Sequence, residues 1–435
     1  MPFLLFALFA LICTILIAQV VARPERIYEC PCFMGFAFTG FVIPQAYGLV
    51  TGKFAPDDWV AATMLMCILC LGACWIGYTR TIPGPVASRR LYIEIDPRRL
   101  AVAGFIFVLI GFYFQYKIDA LPNFQKGTRW TGIVTIYGFF ANQILTGFAI
   151  CLFCAMRYRY RICWVLAVLS SAVPLRSAIF YGRRESTVLF LMTIMMMLYF
   201  VRGIRIPRIF IIFLLFASIV MIPATEQYRM SKDHDLSTLV DKIDLAGPLK
   251  AYADPTAISE VKNAMYVIAA CRASSSYQFG AAYWNRIVFN FVPAQFVGRD
   301  FKDALMIGDP DALDPSRLVV DFIGYQLPVG STLTGIGDSF NQFGFLGCLF
   351  FAGIGCFFKY IWTAANFSEN AIIQVFYIQV MVGAMHSITH ETMDFLPAII
   401  YSAGFLFFVF LFARQKRLPQ ADAVAGFAEL SSGRA

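Results

Sequence analysis

The sequence predicts an all-α fold, a polytopic membrane helix bundle with about eleven transmembrane helices and one long periplasmic loop. Hydrophobic residues make up 59% of the 435 residues and charged residues only 14%, whereas a soluble domain carries about 25% charged residues. Apolar runs of about 17–25 residues recur through most of the chain, each long enough to cross about 30 Å of hydrocarbon. The loops that join these runs alternate between arginine-rich and arginine-poor.

Hydropathy along the chain defines the predicted spans and four larger segments. We expect membrane helices near residues 1–21, 32–51, 60–78, 101–116, 133–155, 162–180, 185–201, 208–224, 337–361, 371–388 and 395–413. The segments are a transmembrane bundle at 1–224, a long periplasmic loop at 225–336, C-terminal transmembrane helices at 337–413 and a cytoplasmic tail at 414–435. The first apolar run lacks a basic region before it, so we expect a membrane helix there rather than a cleaved signal peptide.

The arginine blocks predict the orientation of the bundle. Five arginines lie between Arg80 and Arg99, and further basic blocks occur at 157–161, 202–208 and 414–417. Because cytoplasmic loops carry the excess of Lys and Arg, we expect these loops in the cytoplasm. The N-terminus then lies outside and the C-terminus inside. The net charge of +8 reflects this topology and does not argue for nucleic acid as a partner.

Two stretches of the long loop have apolar residues in patterns that predict local structure. Residues 257–272 have helical spacing and predict an amphipathic helix. The stretch 285–296 is apolar but too short to span, so we expect it to pack on the membrane surface or dip into it. Since the loop holds only Cys271, a disulfide-stapled domain is not expected.

Arginines on the predicted outer face are the candidate substrate-binding residues. Arg176, Arg183 and Arg184 lie at a very short helix–helix connection, where an unpaired guanidinium is costly at membrane depth. Guanidinium groups bind phosphate oxygens bidentately, so these residues favour a diphosphate ligand. The alternative is that they reach outer-leaflet phosphates or pair with Glu185. Arg229, directly after a predicted helix, and Arg299 in the loop are further candidates.

Candidate catalytic residues lie at two other outer connections. Asp338 begins a predicted helix, where a carboxylate either caps the helix or binds substrate. The last outer connection holds His386, His390, Glu391 and Asp394, and one of these side chains is a candidate general base. His386 and His390 share a helix face, but a metal site lacks a third ligand. We therefore expect no metal and no cofactor; a polar helix end that hydrogen-bonds across the bundle is the remaining alternative.

Four features resemble the Wzy-type O-antigen, or oligosaccharide repeat-unit, polymerases of bacterial inner membranes. They are the helix–Arg–helix turn at 176–185, the long outer loop, its VPAQFVGRDFKDAL stretch, and the helix entry GDSFNQFGFLG. The first sequence is similar to an "IPR…KP" pattern of that family, with the Arg displaced and Ala-Gln in its place. The FNQFG-x-x-G residues resemble the family's "NFG-x-x-G" helix start.

The resemblance implies a fold similar to the GT-C glycosyltransferases and a lipid-linked substrate. The donor would be a glycan on undecaprenyl diphosphate, and the acceptor a sugar hydroxyl of a second lipid-linked repeat unit. Membrane lipid and a chain-length regulator protein are the implied partners. Three alternatives remain open: an O-antigen ligase, for which the histidine pair would matter, a transporter or flippase without catalysis, and a structural assembly protein.

Overall fold

The computed structural model is an all-α polytopic membrane protein. It describes residues 1–83, 94–121, 133–181, 184–216, 259–292, 294–309, 313–328, 330–367 and 370–415. Within these residues, eight helical stretches are long and apolar enough to cross a membrane. The predicted class, a multi-pass helical membrane protein, is therefore confirmed.

Long apolar helices make up the N-terminal half of the described chain. They are α1 (Pro2–Ala22), α2 (Cys30–Ala37), α3 (Ile43–Gly52), α4 (Asp57–Arg80), α5 (Pro97–Asp119), α6 (Ile133–Ala141), α7 (Gln143–Tyr158), α8 (Arg161–Tyr181) and α9 (Arg184–Arg202). A π-helical turn at Phe38–Val42 joins α2 to α3, so the two form one apolar stretch. The start of α5 is capped by Asp96, whose carboxylate accepts a hydrogen bond from the Arg98 N–H at 2.8 Å.

Short helices precede the long helices in the C-terminal half. They are α10 (Glu260–Ser274), α11 (Ala281–Phe291), α12 (Ala294–Val297), α13 (Arg299–Ala304), α14 (Pro315–Ile323), α15 (Thr334–Phe343), α16 (Cys348–Phe367), α17 (Ala371–Thr389) and α18 (Phe395–Ala413). Single 3-10 turns at Gly344–Gly347 and Thr392–Asp394 lead into α16 and α18.

Glycines allow the helices of the core to cross closely. A Cβ on Gly77 of α4 would lie 2.3 Å from the carbonyl oxygen of Ala352, and one on Gly355 of α16 would lie 2.2 Å from that of Cys74. The backbones of α4 and α16 are therefore in direct contact, as in membrane helix pairs with small residues at the interface. Gly147 of α7 packs in the same way on Val108 of α5.

Contacts between loops define two ends of the bundle. At one end, which we call the basic end, the N–H of Asp96 donates to the Ala413 carbonyl at 2.8 Å, and Arg205 lies 3.8 Å from Glu25. At the other end, the loop end, Arg272 lies 3.7 Å from Asp58. Since α4 runs from the loop end to the basic end over 24 residues, the two ends are about 36 Å apart.

The prediction of about eleven spans is met in part. The eight candidate spans cover α1, α2–α3, α4, α5, α6–α7, α15–α16, α17 and α18 with its preceding turn. Helices α8 and α9 occupy the predicted spans 162–180 and 185–201 and pack against α7. Residues 208–216 are helical, and the rest of the predicted span 208–224 lies outside the described residues.

The described part of the long loop folds into the bundle rather than standing apart from it. Helix α10 packs against α3 and α4 on one side and against α14 and α15 on others, so it is buried along both faces from Val261 to Cys271. The expected amphipathic helix is thus present, but it lacks the exposed polar face. Helix α15 is likewise buried at every position from Thr334 to Gln342.

Candidate active site

A cavity of about 300 Å³ lies at the loop end, where α11, α15 and the turn before α18 meet. Its polar lining residues are Gln278, Tyr283, Asn285, Arg286, Asp314, Asp338, Asn341, Gln342 and Glu391. Apolar walls come from Phe289, Met306, Leu333 and Met393. This combination of apolar walls with a few convergent polar groups is typical of a ligand site.

Asp338 is the most buried carboxylate of the cavity, with 6% of the residue exposed. Its Oδ2 accepts a hydrogen bond from the Thr392 backbone N–H at 2.8 Å and another from the Thr392 hydroxyl. The Tyr283 hydroxyl lies 2.8 Å from the same threonine oxygen. Because Thr392 donates its proton to Asp338, Tyr283 is the donor to Thr392. A hydrogen-bonded chain therefore links α11, the turn before α18, and α15.

Glycines of α15 hold Asp338 at this position. A Cβ on Gly335 would lie 1.7 Å from the Ser387 carbonyl oxygen, and one on Gly337 would lie 2.8 Å from the Ala264 Cα. Helix α15 therefore sits in backbone contact with α17 and α10, which is possible only without side chains at these positions. Beyond α15, Gly344 adopts φ +60° and ψ −142°, a conformation restricted essentially to glycine.

Arg286 is the cation of the cavity and bridges two carboxylates of the last outer connection. Its Nη1 lies 3.3 Å from Glu391 Oε2, and its Nη2 pairs with Asp394 Oδ1. Asp394 is 21% exposed at its side chain, and Arg286 and Glu391 are about twice as exposed. The guanidinium therefore fastens α11 to the turn at 391–394, next to Asp338.

Charge and burial shift the proton affinities of these groups. Burial raises the pKa of Glu391 to about 7, although the charge of Arg286 opposes that rise. Burial and then the charge of Asp338 raise the pKa of Tyr283 well above its ordinary value, so its hydroxyl stays protonated. Burial alone would lower the pKa of Arg286, but Glu391 and Asp394 give it a net increase. Glu391 can thus gain or lose a proton near neutral pH.

Two donors that line the cavity are left without acceptors. Asn341 Nδ2 and Arg286 Nε are buried and have no hydrogen-bond partner among the described residues. A buried polar group without a partner costs about 1–3 kcal/mol. Both donors would be satisfied by an oxygen-rich ligand in the cavity.

Three of the predicted catalytic residues lie at the loop end in different settings. The structure brings Asp338 and Glu391 to the same cavity. His390 is exposed, with its Nδ1 2.9 Å from the Thr389 hydroxyl and its ring beside that of His386. It does not line the cavity. Within the described residues, no group of three or more His, Cys, Asp or Glu has a geometry suited to a metal ion.

The predicted substrate-binding arginines are not gathered in this cavity. Arg176 pairs with Asp119 of α5 at 2.6 Å, and Arg299 is exposed at the start of α13. Arg183 and Arg229 lie outside the described residues, as does the side chain of Arg184.

Sequence reasoning missed the role of Arg286. No local sequence pattern distinguishes this arginine from the other basic residues of the loop, which are ordinarily solvated surface charges. The available signal was its position within the apolar stretch 285–296, which indicates contact with the bundle. Its partner Asp394 is 108 positions away, so the pairing itself is a product of the fold.

No protein-family model, curated protein or solved structure matches the chain. The chemistry of the cavity is therefore that of its own residues: a carboxylate with a pKa near neutrality, a buried carboxylate held by two hydrogen bonds from Thr392, one guanidinium, and amide donors. Such a set can remove a proton from a hydroxyl and bind oxygen-rich substrates.

Proposed function

We propose that this protein is a membrane glycosyltransferase that polymerises lipid-linked oligosaccharide repeat units for a bacterial surface polysaccharide. The donor is a glycan on undecaprenyl diphosphate, and the acceptor is a sugar hydroxyl of a second lipid-linked unit. One observation carries the proposal: Glu391, Asp338 and Arg286 line a single cavity at the end of a membrane bundle. The resemblance of the FNQFG-x-x-G and Arg176–Glu185 stretches to repeat-unit polymerases supports it.

In the proposed reaction Glu391 is the general base. Its carboxylate takes the proton of the acceptor hydroxyl as that oxygen bonds to the anomeric carbon of the donor. The bond from that carbon to the diphosphate oxygen breaks, and undecaprenyl diphosphate leaves with the electron pair. Asp338, held by Thr392, accepts hydrogen bonds from other sugar hydroxyls and orients them.

The charge balance of the cavity supports a position for the diphosphate away from Asp338. Asp314, Asp338 and Glu391 supply three carboxylates to the cavity lining, against the single guanidinium of Arg286. A diphosphate needs more positive charge than this to be stabilised as it leaves. In our proposal the cavity holds the sugar, and the arginines at 176–184, with Arg229 and Arg299, provide the positive charge that the diphosphate needs.

The proposed membrane location and orientation of the protein rest on the distribution of its arginines. We propose the inner (cytoplasmic) membrane, with the N-terminus and the loop end in the periplasm and the C-terminus in the cytoplasm. Helices α8, α9 and the segment 208–224 would complete about eleven spans in a GT-C-like bundle. A chain-length regulator is the proposed protein partner.

Proteoliposomes with lipid-linked repeat units of the host strain test the proposal. We expect a ladder of extended lipid-linked glycans from the wild-type protein and from Asp303→Asn, a control at an exposed acid of α13. Glu391→Gln should leave single repeats, because it preserves size but cannot accept a proton. Equal ladders from Glu391→Gln and Asp303→Asn would reject the proposed base, and no ladder from wild type would reject the polymerase.

Deletion strains separate the polymerase from an O-antigen ligase. Loss of a polymerase leaves single repeats on the lipid carrier, whereas loss of a ligase leaves long chains that are not attached to lipid A core.

A second candidate, proton-coupled transport, is favoured by the acidic excess of the cavity and by Glu391, whose pKa of about 7 suits proton binding and release. A transporter forms no glycosidic bond. If the same proteoliposomes move the lipid-linked unit across the bilayer without elongating it, the polymerase hypothesis is rejected in favour of proton-coupled transport.

A further inference from the structure

A second cavity, of about 180 Å³, lies at the basic end, remote from the proposed active site. It is enclosed by the last turn of α1, the segment 24–29 that follows it, the start of α2, the C-terminal part of α4 and the middle of α16. Its lining includes Gln19, Arg26, Glu29, Trp75, Tyr78 and Lys359. The proposed transfer reaction uses none of them.

The cavity contains two cations and one anion. Arg26 donates from Nη1 to the Gln19 side-chain oxygen at 2.6 Å, which holds its guanidinium at the rim. Lys359 places its Nζ 4.8 Å from the centre of the Tyr78 ring. Burial raises the pKa of Glu29, and the charges of Arg26 and Lys359 lower it, so all three groups act on one another. Among the described residues neither cation makes a direct ion pair with Glu29.

The buried hydroxyl of Tyr78 also indicates a missing ligand. The residue is 2% exposed, and its oxygen makes no hydrogen bond of ordinary length in the part of the chain that the structure describes, although it lies close enough to Glu29 to lower the pKa of that carboxyl. Such a buried hydroxyl costs free energy unless a ligand or water satisfies it. It lines the same cavity as Arg26, Lys359 and Glu29.

The cavity adjoins a lipid-facing surface. On α1, the exposed residues Leu8, Leu11 and Ile15 are spaced at three and four positions and so lie on one helix face, and Gln19 continues that face into the cavity. On α4, Ile76 is 61% exposed beside the lining residue Trp75. A molecule with an aliphatic chain along this face would have its polar end at Gln19.

We propose that the cavity binds the headgroup of a phospholipid that carries a primary ammonium on its phosphate. Arg26, Lys359 and the Tyr78 hydroxyl bind the phosphate, and Glu29 binds the ammonium. The acyl chains lie along Leu8, Leu11 and Ile15. A purely anionic headgroup would leave Glu29 unpaired beside a phosphate, and a quaternary ammonium would offer it no N–H donor.

Native mass spectrometry of the detergent-purified protein with defined lipids tests this assignment. We expect phosphatidylethanolamine to bind about tenfold more tightly than phosphatidylglycerol or phosphatidylcholine, the ratio expected for one charge-assisted hydrogen bond. Glu29→Gln should reduce that preference to less than about twofold. Arg26→Gln and Lys359→Gln should weaken both phosphatidylethanolamine and phosphatidylglycerol by about tenfold.

The matched control is Arg99→Gln, an exposed arginine of the same end that does not line the cavity; it should bind like wild type. Tyr78→Phe keeps the ring and removes only the orphan hydroxyl, so it should weaken binding while the protein stays folded. Soluble phosphoethanolamine and inorganic phosphate serve as competitors. The proposal is overturned if wild type shows no lipid preference, if Glu29→Gln retains it, or if inorganic phosphate competes as well as phosphoethanolamine.

Discussion

At the scale of single residues, two carboxylates of one cavity have different surroundings. Asp338 accepts two hydrogen bonds from Thr392 and is almost fully buried, whereas Glu391 pairs with Arg286 at the mouth. A fixed, hydrogen-bonded carboxylate suits the orientation of a substrate. A carboxylate whose pKa lies near 7 suits proton transfer.

The pH dependence of chain extension should report Glu391. Burial raises its pKa to about 7, and only the ionised carboxylate can accept a proton. The rate should therefore rise about tenfold per pH unit below pH 7 and level off above it. Initial rates in proteoliposomes between pH 5.5 and 8.5 measure this profile. Glu391→Gln should lower the rate by about 10²–10⁴ and abolish the rise; a rise that persists in this variant belongs to another group.

Arg286 should position Glu391 and set its pKa. Arg286→Gln removes a charge that lowers the pKa of Glu391, so the midpoint of the pH profile should move to higher pH. The variant also leaves Glu391 and Asp394 without their cation, which should destabilise the protein by about 1–3 kcal/mol for such a half-buried pair.

Thermal unfolding in detergent and the pH profile measure the two effects on Arg286→Gln. Arg286→Lys keeps the charge, so the midpoint of the pH profile should return most of the way to its wild-type value. It should not restore the contact of one side chain with both Glu391 and Asp394. An unchanged midpoint in Arg286→Gln would leave the residue with a purely structural role.

At the scale of elements, close helix crossings at glycine determine where the chemical groups lie. The contact of α4 with α16 requires Gly77 and Gly355, and the contact of α15 with α17 requires Gly335. In lipid, helix association depends on such packing rather than on hydrophobic burial. The same crossings that stabilise the bundle therefore bring Asp338 to Thr392.

Alanine at Gly355 should separate α4 from α16. Its Cβ would lie 2.2 Å from the Cys74 carbonyl oxygen, which is backbone and cannot move aside cheaply. We expect a destabilisation of about 1–3 kcal/mol, measured as a lower unfolding temperature in detergent. Gly353→Ala on the same helix is the matched control, because nothing lies within 4 Å of its new Cβ. Equal unfolding temperatures for the two variants would contradict the close crossing.

Alanine at Gly335 should displace α15 and with it the active-site carboxylate. The new Cβ would fall 1.7 Å from the Ser387 carbonyl oxygen, about one helical turn from Asp338. We expect most of the chain-extension activity to be lost while the protein still accumulates in the membrane. Activity close to wild type would mean that α15 tolerates a shift without moving Asp338 from Thr392.

At the scale of the whole molecule, the described loops lie at two ends of the bundle. The orientation of these ends determines on which side of the membrane the cavity lies. We expect the loop end in the periplasm. Ser276→Cys, at an exposed position after α10, should react with a membrane-impermeant maleimide in spheroplasts. Ile204→Cys, which is 51% exposed at the basic end, should react only in inverted vesicles.

The unsubstituted protein is the control for labelling. Its twelve cysteines are buried except Cys348 and Cys356, which are partly exposed, so its background should be low. The reverse labelling pattern would place the cavity in the cytoplasm and remove the basis for a reaction outside it.

Much of the architecture was predictable from local sequence properties. Hydropathy predicted the spans that became α1, α4, α5, α17 and α18, because each is a continuous apolar run. Asp338 and Glu391 were recognisable as candidates because both follow or precede apolar helices on the predicted outer side. The break at Gly344 was not predicted, because a glycine within an apolar run is also compatible with an uninterrupted helix.

By itself, the sequence determined the class of the protein, most of its spans and the segregation of its arginines, since hydropathy and charge are properties of contiguous residues. Only the tertiary structure decided that Arg286 joins Glu391 and Asp394 across about a quarter of the chain, that Arg176 pairs with Asp119, and that α10 is buried. These contacts depend on how closely helices cross. The separation of two crossing helices depends on how well their surfaces fit together. Those surfaces come from residues far apart in the sequence, so no local pattern predicts the fit.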